Sequence, residues 1–529
     1  MELDDLIAAL RDPAVYPHPV AEVGHVETHI SHVLLAGAFA YKLKKPVDLG
    51  FVDFSSPERR RFYCNEELRL NRRLAPQLYL DVVAITDAGG RVRVGGGGRI
   101  LEHAVRMRRF PQKALLSHCE LDEAIIDRLT DRVADFHAGL PPAPPDSRHG
   151  TREAVLSPML ANFAVIRPRL EEPALLRAVD RLERWTRAVG ERLTEQLAAR
   201  RQGGFIRECH GDMHRGNIVL LDGEPVIFDC IEFNPGLRWI DTMSELAFLV
   251  MDLLEAGETT LARRALNRYM ERTGDYAGLG VLRFYQVYRA MVRAKVLAIR
   301  LAQADTGSDE RAELVGDLHR YLRLARDSSA RPCPRLFITH GLSGSGKTRL
   351  GDRLRELLPL IQVRSDVERK RLHGMAPQER PDAARAASLY DAETTRRTYG
   401  RLRELARQVL QSGYSALVDA TFLTRSQRAL FLALGRDLKR PCAILALEAP
   451  PEVLRRRLSD RAKAGTDASD ADTGILEHQV AIREPFSAEE APHVVHLDVT
   501  HPAQVAARLR QITAEPRRAR LGGSPASQH

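Results

Sequence analysis

Cysteine is scarce in this chain: six in 529 residues, at positions 64, 119, 209, 230, 333 and 442, with no C-x-x-C pair. That spacing excludes a disulfide framework and a cysteine-rich structural zinc site, and it points to a reducing compartment. Aromatic residues are also few, at 6%. They do not interleave with the arginine clusters, as base-stacking platforms require. No long apolar run occurs. The most apolar stretch, ELAFLVMDLLEAG, is short and interrupted by Asp252, so it reads as a buried helix. The first residues, MELDDLIAAL, are acidic where a secretion signal would be basic. These absences predict a cytoplasmic protein with no membrane partner.

Charge of both signs is present in quantity. Lys and Arg number 79 against 70 Asp and Glu, a formal net charge of +9. So thin an excess, mixed with acids throughout, describes a solvated arginine-rich surface rather than a nucleic-acid track. The length exceeds what one core sustains, so several domains are expected.

The pattern along the chain divides in two. Residues 26–44, VETHISHVLLAGAFAYKLK, read as short strands with Gly37 at a turn. A helix follows with Ser56 as N-cap, Pro57 at its first position and Pro76 past its end. After the strand signals LYLDVVAIT and RVRV and the run GGGG (95–98), the chain is mainly helical to residue 326, broken by LPPAPPDS. The stretch DSSARPC (327–333) breaks the pattern and reads as a linker. Beyond it, RLFITH, LIQVRS, YSALVDA, CAILALE and HVVHLDV alternate with helical segments, the signature of βαβ units around a parallel sheet. The fold class expected is therefore mixed, α+β followed by α/β, in domains 1–326 and 334–514. The tail 515–529 is expected to be disordered.

Phosphoryl transfer needs a carboxylate near the acceptor hydroxyl, oxygen ligands for magnesium and a cation on the nucleotide phosphates. HGDMHRGN supplies His210, Asp212 and Asn217 in the order H-x-D-x-x-x-x-N. Twelve residues later the apolar strand PVIFD ends in Asp229. Asn217 and Asp229 offer the hard oxygen ligands that magnesium prefers. Upstream, FAYK offers Lys42, with Lys44 a rival on the same strand face, and CNEELRLN offers Glu67 or Glu66 as the partner.

The segment from His210 to Leu249 resembles the aminoglycoside phosphotransferase family, which has the protein-kinase-like bilobal fold and includes choline and other small-molecule kinases. The resemblance implies that Asp212 is the catalytic base, Asn217 and Asp229 the magnesium ligands and Lys42 the phosphate-holding lysine, paired to Glu67. It implies that VRMRRF (105–110) joins the lobes, and that Asp241 fits the family's later, structural Asp. Two departures stand out: no G-x-G-x-x-G precedes Lys42, and Asp229 opens DCIEF rather than D-F-G.

GLSGSGKT (341–348) matches G-x-x-x-x-G-K-[S/T] directly after an apolar strand. Gly341, Gly344, Ser345 and Gly346 let backbone N–H groups close on phosphate oxygens at a helix N-terminus. Lys347 reaches the β- and γ-phosphates, and Thr348 ligates magnesium. Asp366 ends the next strand in VRSDVERKRL, placed as a base for an acceptor hydroxyl, with Arg369 and Lys370 available to an anionic substrate. Asp419 ends SALVD and suits a magnesium-site carboxylate. Arg457 and Arg461 lie at i, i+4 on one helix face before GTDASDADTG, as in a lid. This half resembles P-loop kinases grouped with polynucleotide kinase and zeta-toxin-like proteins, domains that also carry the label AAA. That resemblance implies phosphorylation of a hydroxyl and a five-stranded parallel sheet with flanking helices.

Together these readings predict an ATP- and Mg2+-dependent phosphotransferase with two nucleotide sites and small hydroxyl acceptors. A nucleic-acid 5′ end is the alternative acceptor of the second site. The competing reading is a regulatory ATP-binding protein with one active and one sensing domain. The oligomeric state is not legible from the sequence.

Overall fold

The computed structural model describes residues 2–48, 50, 52–303, 308–377, 379, 385, 388–464 and 473–514; side chains at 459–464 and 473–476 are also left aside. The expected disordered tail and most of the lid stretch GTDASDADTG lie outside the described residues. The chain divides into two units. The first holds residues up to Ala265 and Val281–Ala330; the second holds Leu266–Gly280 and the chain from Arg331 onward.

In the first unit, an antiparallel sheet comprises β1 (Val23–Glu27), β2 (Ser31–Ala36), β3 (Phe39–Lys44), β4 (Tyr79–Asp87), β5 (Val92–Val94) and β6 (Arg99–Arg108). Their order is β1-β2-β3-β6-β4-β5, and two further antiparallel pairs follow, β7 (Ile206–Glu208) with β10 (Trp239–Asp241) and β8 (Ile218–Leu221) with β9 (Glu224–Ile227). The β2–β3 connection is two residues long, with Gly37 at φ +58° and Pro19 O only 2.7 Å from where a Cβ would sit. A side chain there would meet backbone as well as strain, so glycine is required. This tight hairpin stands where a longer phosphate-covering loop would be.

The helix Pro57–Asn71 starts as expected, the Ser56 hydroxyl accepting from Arg59 N. Its Cys64 joins Tyr79, Val105, Val219 and Val226 in one apolar cluster, so the sheet is packed directly onto the hairpin of strands Ile218–Leu221 and Glu224–Ile227. The remaining helices bury a separate core built on Phe163, Val179, Phe248, Met251, Val287, Met291 and Leu318. ELAFLVMDLLEAG falls in the helix Thr242–Glu255, whose residues from Thr242 to Leu253 are all buried. This is the bilobal, protein-kinase-like arrangement.

The second unit is a parallel sheet of five strands, β11 (Leu336–His340), β12 (Leu360–Arg364), β13 (Ser415–Asp419), β14 (Cys442–Glu448) and β15 (Val494–Asp498), in the order β12-β13-β11-β14-β15. Their near-continuous apolar sequences suit strands covered on both faces. Helices Lys347–Leu357 and Pro502–Ala514 cover one side through Leu350, Leu354, Val505 and Leu509. The edge strand β12 is capped from within the unit: Asn267 Nδ2 donates to Leu360 O at 2.7 Å, and Gln362 N donates to Asn267 Oδ1 at 2.8 Å. One amide side chain thus satisfies two ladder groups that a bare edge would leave open.

Candidate active sites

In the first unit the loop between β7 (Ile206–Glu208) and β8 (Ile218–Leu221) carries Asp212 and Asn217; Asp229 follows β9 (Glu224–Ile227). Asn217 Nδ2 donates to Asp212 O and Asp212 Oδ2, both at 3.0 Å. That leaves the Asn217 carbonyl oxygen for another ligand. Asp229 has φ +63°, a left-handed conformation that costs a non-glycine residue about 1 kcal/mol. Its N–H is held by the Tyr79 hydroxyl at 3.2 Å. Strain of this kind concentrates at functional sites.

The lysine question resolves into a chain of charges. Lys42 Nζ lies 2.8 Å from Glu67 Oε1 and 2.6 Å from Asp229 Oδ1. Lys44 Nζ lies 2.7 Å from Glu67 Oε2 and also pairs with Glu232. Glu67 thus bridges both lysines, while Glu66 pairs with Arg69. Burial alone would push both ammonium groups down, but Asp229 and Glu67 beside Lys42, and Glu232 and Glu67 beside Lys44, hold both above the ordinary lysine value. For Glu67 burial is likewise outweighed, by two lysines, and its carboxyl sits below the usual range. Glu232, further from Lys42, is pushed up by burial. Lys44 is fully enclosed, whereas the Lys42 side chain keeps 13% exposure beside the half-buried Asp229. Lys42 is therefore the lysine with access to a ligand.

Burial would raise the Asp212 carboxyl, but His214, His210 and Arg293 overcome it and keep the group ionised well below the usual range. His214 Nε2 lies 3.4 Å from Asp212 Oδ2. His210, whose charge is disfavoured by burial, bonds Phe228 O at 2.9 Å and so ties the loop to the strand leading to Asp229.

The residue that fixes this loop was not singled out in the sequence. Glu245, fully buried, accepts from His210 N at 3.1 Å, Gly211 N at 2.6 Å and His137 Nε2 at 3.0 Å. Burial opposes its ionisation, yet His137, His210 and the Gly211 N–H hold its carboxyl down at about 2. Asp241 instead caps the helix Thr242–Glu255 and pairs with Arg200 through two bonds of 2.5 and 2.7 Å. Its role is structural. Glu245 hides in sequence because it sits inside the apolar run ELAFLV, where an unpartnered acid is the signal that something buried needs it.

The second site is the loop between β11 and the helix Lys347–Leu357. Gly344 has φ +82°, and a Cβ would stand 3.0 Å from Leu454 O, so the cradle closes only with glycine there. Lys347 Nζ donates to Gly341 O and Leu342 O at 3.1 and 3.0 Å. The Ser345 hydroxyl is buried and, among the described residues, has no hydrogen-bond partner. Thr348 Oγ1 and Gln362 Nε2 both donate to Asp419 Oδ2, at 3.0 and 2.9 Å. Burial raises the Asp419 carboxyl, with Arg364 and Lys347 only partly offsetting it. A hydroxyl and a buried carboxylate side by side at a phosphate cradle form a donor set suited to magnesium.

A cavity of about 1020 Å3 opens on this cradle and is lined by Gly344–Thr348, Asp366, Arg369, Asp419 and Arg457, among others. Most of the sequence-derived set therefore meets in one place. Arg457 Nη1 reaches 3.5 Å from Gly344 O, while the Arg461 side chain lies outside the described residues. Lys370 departs from expectation. It is buried, bonding Pro377 O at 3.4 Å, because on a helix it points about 100° away from Arg369. Gln479, missed in sequence because a lone glutamine carries no motif, accepts from Ser343 N at 2.8 Å and donates to Ser343 Oγ at 3.0 Å.

The profile of the phosphotransferase enzyme family matches residues 51–285, and that of an AAA domain matches residues 336–486. The first match begins beyond Lys42 and Lys44. Uncharacterized proteins of Mycobacterium tuberculosis and Mycobacterium bovis are 30% identical over 460 residues, covering 85% of this chain and 89% of theirs. Among solved structures, the amicoumacin kinase hAmiN aligns at 13% identity and TM-score 0.40, over 62% of this chain and 96% of its own. Kti12 of Chaetomium thermophilum aligns at 18% identity and TM-score 0.27, over 34% and 96%. A gluconokinase of Sinorhizobium meliloti aligns at 21% identity and TM-score 0.25, over 35% and 94%.

Proposed function

This chain belongs to the same family as these mycobacterial proteins and joins an aminoglycoside phosphotransferase-type kinase domain to a P-loop kinase domain, and from that footing we propose that it is an ATP-dependent phosphotransferase with two separate sites, each phosphorylating a hydroxyl acceptor. The observation that carries the reading is that each unit assembles a full set by itself. One set is Lys42, Asp212, Asn217 and Asp229; the other is Lys347, Thr348, Asp366 and Asp419. A domain that only sensed nucleotide would need phosphate ligands but no carboxylate facing an acceptor.

In the first unit Lys42 holds the nucleotide phosphates, with Glu67 and Lys44 keeping it in place. Asn217 and Asp229 would hold Mg2+, which supplies charge neutralisation on the phosphates when bound. Asp212, ionised and fixed by the Asn217 amide and the Glu245-held backbone, orients the acceptor hydroxyl and takes its proton. In the second unit the glycine cradle and Lys347 hold the phosphates, and Thr348 with Asp419 would hold Mg2+. Asp366, which the sequence places at the strand end and which stands in the first turn of the helix Ser365–Leu372 just after β12, takes the acceptor proton, and Arg457 steadies the transferred group. The acceptors in both cases are small hydroxyl compounds. A screen of metabolites with γ-labelled ATP, run on the intact chain and on Asp212→Ala and Lys347→Ala, tests the reading: labelled products should fall into two groups, each lost in one variant only. A chain that binds ATP but labels nothing in either variant's background would refute it.

A further inference from the structure

The run LIQV in β12 is apolar but for Gln362, and that residue is buried, with 5% exposure. A buried amide must satisfy both of its ends. Gln362 Oε1 accepts from Arg355 Nη1 at 2.6 Å, and Nε2 donates to Asp419 Oδ2 at 2.9 Å. The chemistry of the partners fixes which way round the amide lies. A guanidinium only donates and an ionised carboxylate only accepts, so the oxygen faces Arg355 and the NH2 faces Asp419.

Room for this side chain comes from the helix that follows the P-loop. Gly351 lies inside the helix Lys347–Leu357, where glycine serves stability less well than alanine. A Cβ there would stand 2.1 Å from Gln362 Oε1 and 2.7 Å from Nε2, so the missing side chain is the notch in which the amide sits. The Gln362 backbone is anchored separately, its N–H donating to Asn267 Oδ1 at 2.8 Å. Asn267 is itself buried; it precedes the linker and falls within the span matched by the phosphotransferase profile, yet it belongs to the second unit. At the far end of this arrangement, Thr348 Oγ1 and Gln362 Nε2 converge on one oxygen of Asp419, which fixes the rotation of the carboxylate. The Thr348 hydroxyl is also a candidate magnesium ligand, so its bond to Asp419 competes with that role. Gln362 has no such second duty.

Building on the reading of the P-loop as a Mg2+–nucleotide site, we propose that Gln362 is its positioning residue: seated in the Gly351 notch and anchored through Asn267, it holds the Asp419 carboxylate in the orientation that serves Mg2+. The second site is thereby completed by a stretch of chain that lies before the linker.

The test is binding of a non-hydrolysable ATP analogue to the intact chain, once in Mg2+ and once in chelator, the P-loop contribution being the part lost in Lys347→Ala. Gln362→Met keeps the length of the side chain and removes the amide. It should weaken the P-loop contribution at least about tenfold in Mg2+, as loss of a hydrogen bond to a charged group does. In chelator, where the glycine cradle and Lys347 act alone, the change should stay within about threefold. Gly351→Ala favours the helix and alters neither Gln362 nor Asp419, yet it should reproduce the same split by pushing the amide out of its notch. Equal losses with and without Mg2+ would make Gln362 a scaffold residue and overturn the proposal, as would unchanged affinity in Mg2+ for both variants. Because binding is read without transfer, failure here is distinguishable from failure of the kinase reading, which labelled products decide.

Discussion

Replacing Glu245 by Gln probes how the first site is held. The carboxylate accepts three bonds, from His210 N, Gly211 N and His137 Nε2, and has no exposure to solvent. An amide keeps one acceptor oxygen and turns an NH2 toward the remaining donors. At least one buried N–H then loses its acceptor, at about 1–3 kcal/mol, and the surviving bonds lose their charge assistance. The sum is about 2–4 kcal/mol of local stability. Because the two N–H groups belong to the residues just before Asp212, the Asp212 carboxylate, the base of the proposed reaction, shifts as well, and a displacement of about 1 Å should lower turnover on the order of 100-fold.

The same residue has a pH signature. Its folded-state carboxyl is depressed from the usual 4.5 to about 2. A depressed acid contributes fully above its unfolded value and loses that contribution as pH falls through the folded one. The window is therefore pH 4.5 down to about 2, and the amount is at most about 3 kcal/mol. Hydrogen exchange of the 209–217 amides, measured across that window in the native chain and in Glu245→Gln, is the assay. The native chain should lose protection steeply, whereas the variant should start lower and show a flatter slope. Equal protection and equal slope, with Asp212-dependent turnover unchanged, would refute the reasoning.

Lys44→Met leaves Glu67 with one counter-ion fewer and Glu232 without its lysine, and should cost about 3–5 kcal/mol in urea unfolding, whereas Lys42→Met, which leaves Glu67 paired with Lys44, should cost less and raise the KM for ATP. Asn267→Ala removes both bonds to the edge of β12 and should destabilise the second unit by about 2 kcal/mol, weakening nucleotide binding at the P-loop in a calorimetric titration. Burial raises the Asp419 carboxyl, so Mg2+-dependent nucleotide binding at the P-loop should decline, as pH falls, at a higher pH than an ordinary aspartate would dictate. Asp419→Asn should abolish that pH dependence along with most of the Mg2+ effect.

Sequence revealed most of what is built from backbone pattern and least of what is built from long-range burial. Strands β11 to β15 were legible because short apolar runs alternating with helical segments beside a P-loop are the local pattern of a parallel sheet. Asp212, Asn217 and Asp229 were legible because their spacing is local. The Lys42–Lys44 alternative was not decidable, since both lysines share a strand face and it is Asp229 beside one and Glu232 beside the other, each almost 190 positions away, that distinguish them. Lys370 was misread because charge says nothing about which way a helix is turned. Glu245 and Asn267 escaped because each works by bonding the backbone of a distant segment, which leaves no motif.

The central claim is that two independent phosphoryl-transfer sites share this chain. Transfer from γ-labelled ATP by Asp212→Ala, Lys347→Ala and the double variant, with nucleotide binding measured alongside, tests it most directly. Each single variant should lose one set of labelled products and keep the other site's nucleotide binding, and the double variant should label nothing. Labelled product from the double variant, or one substitution silencing both sets, would contradict it.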